Sequence, residues 1–138
     1  MAGSLNAEDV ARVAEFRAAL RRFLRTTERN AQAAGLTPQR YLLLLMIKGA
    51  PDLSEQSTVT ELSERLQLAQ STVTELVSRA EESGLIERER SAADGRIAHL
   101  RLSAEGERRL AQAFTSNAAQ RTALEQAFEH LRGPVLAA

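Results

Sequence analysis

A short segment near the middle of the chain gathers polar side chains that could bind nucleic acid. From Gln70 to Gly84, apolar residues recur at three- and four-residue steps, which predicts an amphipathic helix. Its inward positions are Val73, Leu76, Val77 and Ala80. The polar residues on its outer face and flanks near the start are Gln70, Ser71, Thr72, Thr74, Glu75 and Arg79. These side chains can bond to base edges and phosphates, because the first turns of such a helix can enter the major groove of DNA.

The same helix carries more acid than base, which opposes binding to a polyanion. Glu75, Glu81 and Glu82 stand against one arginine, and residues 57–102 hold eight acidic and six basic residues in a chain of zero formal net charge. Glu81 and Glu82 are predicted to lie outside the groove, at the far end of the helix. Glu75 has two compatible interpretations. Its carboxylate accepts a hydrogen bond from cytosine N4, or it pairs with Arg79 four residues on.

Two short alternating segments follow this helix and predict a β-hairpin. They are "LIERER" and "IAHLRL", joined by "SAADGR", whose Asp-Gly pair is typical of a tight turn. Its arginines Arg88, Arg90 and Arg96 are further candidates for binding DNA. For Arg88 and Arg90, a plain role as solubilising charges on a strand is the alternative. Asp94 is interpreted as a structural partner that holds the turn or the Arg96 side chain.

Little in the sequence could support catalysis, a cofactor or a membrane span. Cysteine is absent, and the two histidines, His99 and His130, fall in different predicted elements without a paired acid. Neither a zinc-ligand spacing nor a glycine-rich phosphate loop is found, so we expect no enzyme, no cofactor and no metal site. The longest apolar run, Tyr41 to Ile47, is far below the ~20 residues of a membrane span. Because a signal peptide pattern is also lacking, we expect a cytoplasmic protein.

The periodicity of apolar residues predicts a mainly α fold with a small β-hairpin wing. Helices are expected over about Ala7 to Ala34, Pro38 to Gly49, Thr58 to Leu66, Gln70 to Gly84, Ala104 to Ser116, and around Leu124 to Val135. Thr37 is the expected N-cap of the second helix, and Thr58 with Glu61 forms a capping box on the third. Residues 50–57 are predicted to form a loop. The order of these elements predicts a winged helix-turn-helix with flanking dimerisation helices.

The terminal helices carry apolar faces that a chain this short would struggle to bury alone. In the last helix the apolar stripe is Leu124, Phe128, Leu131 and Val135. We therefore expect an intertwined homodimer, with packing onto the monomer's own core as the alternative. Residues 1–35 are then an N-terminal dimerisation helix, 36–103 a winged helix-turn-helix DNA-binding region, and 104–138 the C-terminal dimerisation helices of one intertwined domain.

Several motifs resemble those of a known family. "LTPQRYLLLLMI", "TVTELSERLQLAQSTVTELVSRAEESGLIERE" and especially "DGRIAHLRLSAEGERRL" resemble the MarR family of bacterial transcriptional regulators. The most specific motif is that of the wing, with matching residues Asp94, Arg96, Leu102, Ser103 and Gly106. Two residues depart from the family pattern. Ala69 stands where a capping residue is common, at a cost on the order of 1 kcal/mol, and Glu75 stands where a basic or neutral polar residue is common.

The resemblance implies a homodimeric winged-helix repressor or activator. It also implies that Arg96 reaches the minor groove or its phosphates, and that a small phenolic or aromatic effector releases the protein from DNA. We expect a ligand-responsive regulator, more specifically a repressor, that binds a pseudo-palindromic operator in double-stranded DNA. The alternative is a winged-helix protein-interaction module that has lost DNA binding, which the acidic segment would suit. An effector pocket could include Phe16, Tyr41 or Leu45, although plain core positions explain these residues more simply.

Overall fold

The computed structural model describes residues 3–133 and contains six helices and one antiparallel hairpin in that range. Val135 of the predicted apolar stripe lies outside the described residues. The elements are α1 (Ala7–Ala33), α2 (Pro38–Lys48), α3 (Val59–Leu66), α4 (Gln70–Glu82), β1 (Ile86–Arg90), β2 (Ala98–Leu102), α5 (Ala104–Ser116) and α6 (Ala118–Arg132). This order confirms the predicted fold class, a mainly α winged helix-turn-helix.

Two compact units make up the described chain. Unit 1 consists of the residues up to Asn30 together with those from Phe114 onward, and unit 2 runs from Ala31 to Ala113. Unit 2 contains α2, α3, α4, the hairpin and most of α5, whereas unit 1 contains most of α1 and all of α6. The division into dimerisation and DNA-binding segments made from the sequence stays a prediction.

The apolar core lies in unit 2. Its fully buried side chains come from every element of the helix-turn-helix and from the hairpin, and they include Leu43, Leu44, Ile47, Leu62, Val73, Val77, Leu85 and Leu100. Three of the four predicted inward residues of α4 are completely buried, while Leu76 is half-buried and packs against the cluster. Burial of several large aliphatic side chains, each contributing about 1.5–3 kcal/mol, therefore fixes which face of α4 points outward.

Local hydrogen bonds start α2 and α3 at the residues expected from the sequence. The hydroxyl of Thr37 accepts a hydrogen bond from the backbone N–H of Arg40 at 3.1 Å, and Pro38 follows at the first helical position. The Thr58 hydroxyl accepts from the Glu61 N–H at 3.2 Å, and the Glu61 carboxylate accepts from the Thr58 N–H at 2.8 Å. These reciprocal bonds form the predicted capping box and satisfy backbone donors that a helix start leaves unpaired.

The hairpin pairs Ile86 with Leu102 at its base and Arg90 with Ala98 at its far end. Its turn differs from a two-residue hairpin turn. The Ile97 N–H donates to the Asp94 carbonyl at 3.0 Å within a longer loop, and Gly95 does not take a left-handed conformation. The predicted loop over residues 50–57 also ends in an unexpected pairing, since Ser57 and Leu100 exchange two backbone hydrogen bonds of 3.0 and 2.8 Å.

Unit 1 has no buried apolar side chain among its described residues. Only Thr27 and Asn117 are buried there, and the Asn30 amide donates a hydrogen bond of 2.7 Å to the Asn117 side-chain oxygen. Phe16 of α1 and Phe128 of α6 meet edge to face with ring centroids 6.2 Å apart, yet Phe128 remains 51% exposed. A groove of about 980 Å³ is lined by residues of α1 and α6. The two helices of unit 1 therefore contact each other without closing a core.

Candidate nucleic-acid interface

Helix α4 presents all six of its candidate binding residues to solvent. Gln70, Ser71, Thr72, Thr74, Glu75 and Arg79 are all exposed. Behind them, Val73, Val77 and Ala80 are completely buried. The amphipathic pattern therefore predicted the exposed face correctly, and the buried residues on the opposite face hold α4 against the core.

The turn between α3 and α4 holds the start of α4 in place. Gln67 adopts a left-handed conformation, with φ of 56°, and the Ser63 hydroxyl donates to the Leu68 carbonyl at 2.6 Å. The N-cap residue Ala69 makes no side-chain capping bond, as its methyl side chain requires. The first backbone N–H groups of α4 thus have no intrahelical or capping acceptor. Such groups, together with the helix dipole, suit a phosphate oxygen.

Glu75 and Arg79 form an ion pair on the open face of α4. The Arg79 Nη2 donates to Glu75 Oε1 at 2.6 Å, and both side chains are more than 60% exposed. The pairing predicted for Glu75 is confirmed, and its contact with a base stays a prediction. Exposed pairs at this spacing contribute only about 0.3–0.5 kcal/mol, so a DNA phosphate or base can displace either partner at small cost.

Arg88 is held by a carboxylate of α4. Its Nη2 and Nε donate to Glu81 Oε1 at 2.6 and 3.2 Å, and the pair is about one-third exposed. The hydrogen bond from Arg88 to Glu81 raises the pKa of the guanidinium. Because Glu81 lies on α4 and Arg88 on β1, the pair joins α4 to the hairpin. This contact gives Arg88 a bracing role that the sequence did not indicate.

The other two wing arginines differ in exposure and partner. Arg90 Nη1 donates to the Gly95 carbonyl at 2.8 Å and so holds the loop against its own strand. Arg96 is 92% exposed at the tip of the wing. Asp94 Oδ1 accepts from the Arg96 backbone N–H at 3.0 Å and from its Nε at 3.3 Å. Asp94 therefore holds both the turn and the side chain, as interpreted from the sequence.

Within unit 2, residues of the wing motif at the start of α5 contact the segment that follows α4. The Ser103 hydroxyl accepts from the Gly106 N–H at 3.1 Å and donates to the Gly84 carbonyl at 2.5 Å. Gly106 is buried and packs against the backbone of Leu85. A further wing arginine, Arg101, was not among the predicted candidates, and it faces Glu87 and Glu89 at 3.6 and 3.9 Å. The sequence places Arg101 on a predicted strand opposite the strand that carries Glu87 and Glu89, and this placement could have indicated the pairing.

The described residues offer little other chemistry. Within residues 3–133, no group of three or more histidine, cysteine, aspartate or glutamate side chains could hold a metal ion. Lys48 bridges Glu55 and Glu107 at 2.7 and 2.8 Å, and these hydrogen bonds raise the pKa of Lys48. This network links the 50–57 loop to α5. None of the helices described is both long and apolar enough to cross a membrane.

Comparisons with known proteins agree with this architecture. Residues 34–97 match the family model described as MarR family. The chain is 34% identical over 80 residues to YsmB of Bacillus subtilis, described as an uncharacterised HTH-type transcriptional regulator; the match covers 58% of this chain and about half, 52%, of that protein.

Solved structures of similar fold cover nearly the whole chain. A mutant of Escherichia coli MarR in complex with operator DNA matches with a TM-score of 0.68 and 18% identity, over 97% of this chain and 99% of that one. AbsC, a MarR family transcriptional regulator from Streptomyces coelicolor, matches with a TM-score of 0.68 and 17% identity, over 96% and 86%. The wing motif, the order of the elements and the matched family model together show that the chain has a winged helix-turn-helix fold and is similar to the MarR family over residues 34–97.

Proposed function

We propose that the protein is a transcriptional regulator of the cytoplasm that binds double-stranded DNA as a homodimer and acts as a repressor. The observation that carries this proposal is the exposed polar face at the start of α4, fixed from behind by fully buried residues and flanked by a wing with Arg96 at its tip. Similarity to the MarR family, rather than the lack of a catalytic cluster, is the reason to treat the chain as a regulator and not an enzyme.

In this proposal the start of α4 enters the major groove. Its free N–H groups contact phosphate, while Ser71, Thr72, Thr74 and Glu75 face the base edges. Arg96 reaches the minor groove or the adjacent phosphates. Support comes from the E. coli MarR mutant of the same fold, which was solved with operator DNA. Because the chain covers about half of its curated relative, the DNA-binding activity is carried over as part of the proposal.

Unit 1 supports the proposed homodimer. It buries no apolar side chain within its described residues, while Val13 and Phe128 remain 54% and 51% exposed. A second copy that covered these faces would supply the missing apolar burial. The two-fold symmetry of such a dimer leads to a pseudo-palindromic operator, with half-sites separated by about one helical turn, ~10–10.5 bp.

A small phenolic or aromatic effector completes the proposal. The three residues considered for its pocket lie in different surroundings. Tyr41 is buried in the core of unit 2, Leu45 packs against that core, and Phe16 lines a groove of unit 1. The core positions of Tyr41 and Leu45 favour the simpler packing interpretation. Titration of simple phenols and aromatic acids into the protein–DNA complex, followed by anisotropy, tests whether any releases the DNA.

The DNA-binding proposal is tested on the DNA that flanks the protein's own gene. Fluorescence anisotropy at a series of salt concentrations should give tight, salt-dependent binding, with weaker binding to an unrelated duplex. Footprinting should show two half-sites, and sedimentation at low micromolar concentration should give a dimer. An asymmetric single half-site, or a folded monomer near 15 kDa, would refute the symmetric dimer.

One observation favours a second candidate, a protein-interaction module. Arg79, Arg88 and Arg96 each form an ion pair with a carboxylate of the same unit. The candidate DNA-binding face is thereby less cationic than its arginine count implies. If neither specific nor unrelated duplex binds down to low salt, DNA binding is excluded and this second candidate is favoured.

A further inference from the structure

Some arginines of the described residues face carboxylates, and others do not. On α4 and the hairpin, Arg79, Arg88, Arg96 and Arg101 all face carboxylates. This pairing leaves the candidate DNA-binding face with little net positive charge. Yet sequence-independent affinity for DNA comes mainly from cations that neutralise phosphates. A DNA-binding protein with this face needs another source of that attraction.

Helix α1 carries such a source, which we call the arginine stripe. Arg17, Arg21, Arg25 and Arg29 recur at four-residue steps, and all four side chains are exposed. None of them forms an ion pair within residues 3–133. Residues 17–29 contain five arginines and one glutamate. The stripe is therefore a concentration of uncompensated positive charge outside the winged helix-turn-helix.

The spacing of the stripe suits an extended polyanion. Four residues of α-helix rise about 6 Å and turn about 40° past a full circle, so the four arginines form a slowly winding row about 18 Å long. Over that length one strand of B-DNA presents about five phosphates. Guanidinium groups bind phosphate through planar, paired hydrogen bonds, and their charge does not titrate near neutral pH.

The residues between the arginines favour a nucleic-acid backbone over an acidic peptide. Ala14, Ala18, Glu28 and Gln32 lie on the same side of α1 and are exposed. Ala14 lines a pocket with Val10 and Val13 before the first arginine. Ala18, Glu28 and Gln32 have short or polar side chains and offer no apolar anchor, whereas peptide and protein partners obtain most of their binding energy from such anchors. Contact with phosphates requires only charge and hydrogen-bond donors.

We propose that the arginine stripe is a second, sequence-independent binding surface for the phosphate backbone of double-stranded DNA. This inference rests on the proposed function, because it assigns part of the DNA affinity to α1. The sequence signal was the i, i+4 series of arginines, which the apolar periodicity of the helix does not reveal.

The test compares two double variants of the full-length chain. Arg21→Gln with Arg25→Gln removes two stripe charges and keeps good helix formers. Arg108→Gln with Arg132→Gln is the matched control, since it removes the same net charge from exposed arginines that are paired with glutamates. The readout is the slope of log K against log salt, measured with operator-containing and with unrelated duplex.

We expect the stripe variant to flatten that slope by about 3.6 units on both duplexes, because the proposed homodimer loses four stripe arginines and each lost phosphate contact removes about 0.9. The control variant should leave the slope near the wild-type value. Equal slopes for the two variants would overturn the inference while leaving the proposed function intact. Wild-type protein that binds neither duplex would instead overturn the proposed function, and the inference with it.

Two further outcomes would show that the stripe binds a partner other than DNA. If the stripe variant sediments as a smaller species than the wild type, the arginines act in assembly, and the inference is wrong. If the variant loses binding to poly-glutamate but keeps full affinity for both duplexes, the partner is an acidic protein, which also overturns it. An unchanged sedimentation coefficient together with weaker binding to both duplexes supports the inference.

Discussion

Substitution of Gly106 by alanine should destabilise unit 2 through a single added methyl group. The glycine lies in the first turn of α5, and a Cβ there would overlap the carbonyl oxygen of Leu85. It would also come within 3.1 Å of the Leu85 carbonyl carbon and 3.4 Å of Leu102 Cγ. The obstacle is buried backbone, which cannot rotate away as a flexible side chain could.

The expected magnitude combines three effects. Overpacking costs about 1–3 kcal/mol. The Leu85 carbonyl also accepts the Ser103 N–H at 3.0 Å, and weakening this bond costs about 1 kcal/mol. Alanine returns up to about 1 kcal/mol through its better helix propensity. The net loss is about 2 kcal/mol in the free energy of unfolding, or roughly 6–10 °C in Tm for a chain of this size.

Urea unfolding followed by circular dichroism measures this loss, and Gly95→Ala is the matched control. A Cβ added at Gly95 would meet no heavy atom within 4 Å, and this glycine does not adopt a left-handed conformation. Its replacement by alanine should therefore change the free energy of unfolding by less than about 0.5 kcal/mol. If Gly106→Ala proves as stable as Gly95→Ala, close packing against Leu85 is not the reason for glycine at this position.

Three further predictions concern charged groups. Arg96→Ala should weaken binding to specific and unrelated DNA alike and lower the salt slope by about 1.8, which is about 0.9 for each wing of the proposed homodimer, as measured by anisotropy; an unchanged slope would make Arg96 an ordinary surface residue. Glu75→Gln should relax one base preference by roughly 1–3 kcal/mol in a panel of operators varied at each half-site position. An equal gain in affinity for every operator of the panel would instead mean that Glu75 only pairs with Arg79 and reads no base. Arg108 and Arg109 lower the pKa of Glu105 from 4.5 to about 2. The ionised carboxylate therefore contributes stability that is present above pH 4.5 and is lost as the pH falls toward 2, and Glu105→Gln should flatten the urea-measured stability across that window. A curve parallel to the wild-type curve would contradict this linkage.

Local rules were sufficient to predict the helices and the open face of α4. Capping at Thr37 and Thr58 depends on residues at most three positions apart, and burial of Val73 and Val77 follows from helical period alone. Such features need no knowledge of distant contacts. The exposure of the six candidate residues on α4 could therefore be predicted from the sequence.

Contacts between different helices and strands could not be predicted from the sequence. Arg88 and Glu81 are seven residues apart and meet because β1 turns back along α4, which no helical or strand periodicity encodes. The bridge between Ser57 and Leu100 depends in the same way on how the 50–57 loop returns to the hairpin. Leu53 and Glu55, both at φ of 62°, adopt left-handed conformations that their residue types do not indicate. Long-range geometry thus decided which charges are paired and which are available.

The confinement of the buried apolar core to residues 31–113 has a consequence for the fate of newly made protein. If unit 1 acquires its apolar burial only from a second copy, its share of the folding free energy obeys mass action and grows with the logarithm of protein concentration. At low abundance, α6 would then open often, exchange its amide hydrogens quickly and be cut by proteases, while residues 31–113 stay protected. Proteases could then remove unassembled chains by cutting at α6. The protein would accumulate only above a concentration set by assembly, and not by the rate of synthesis alone.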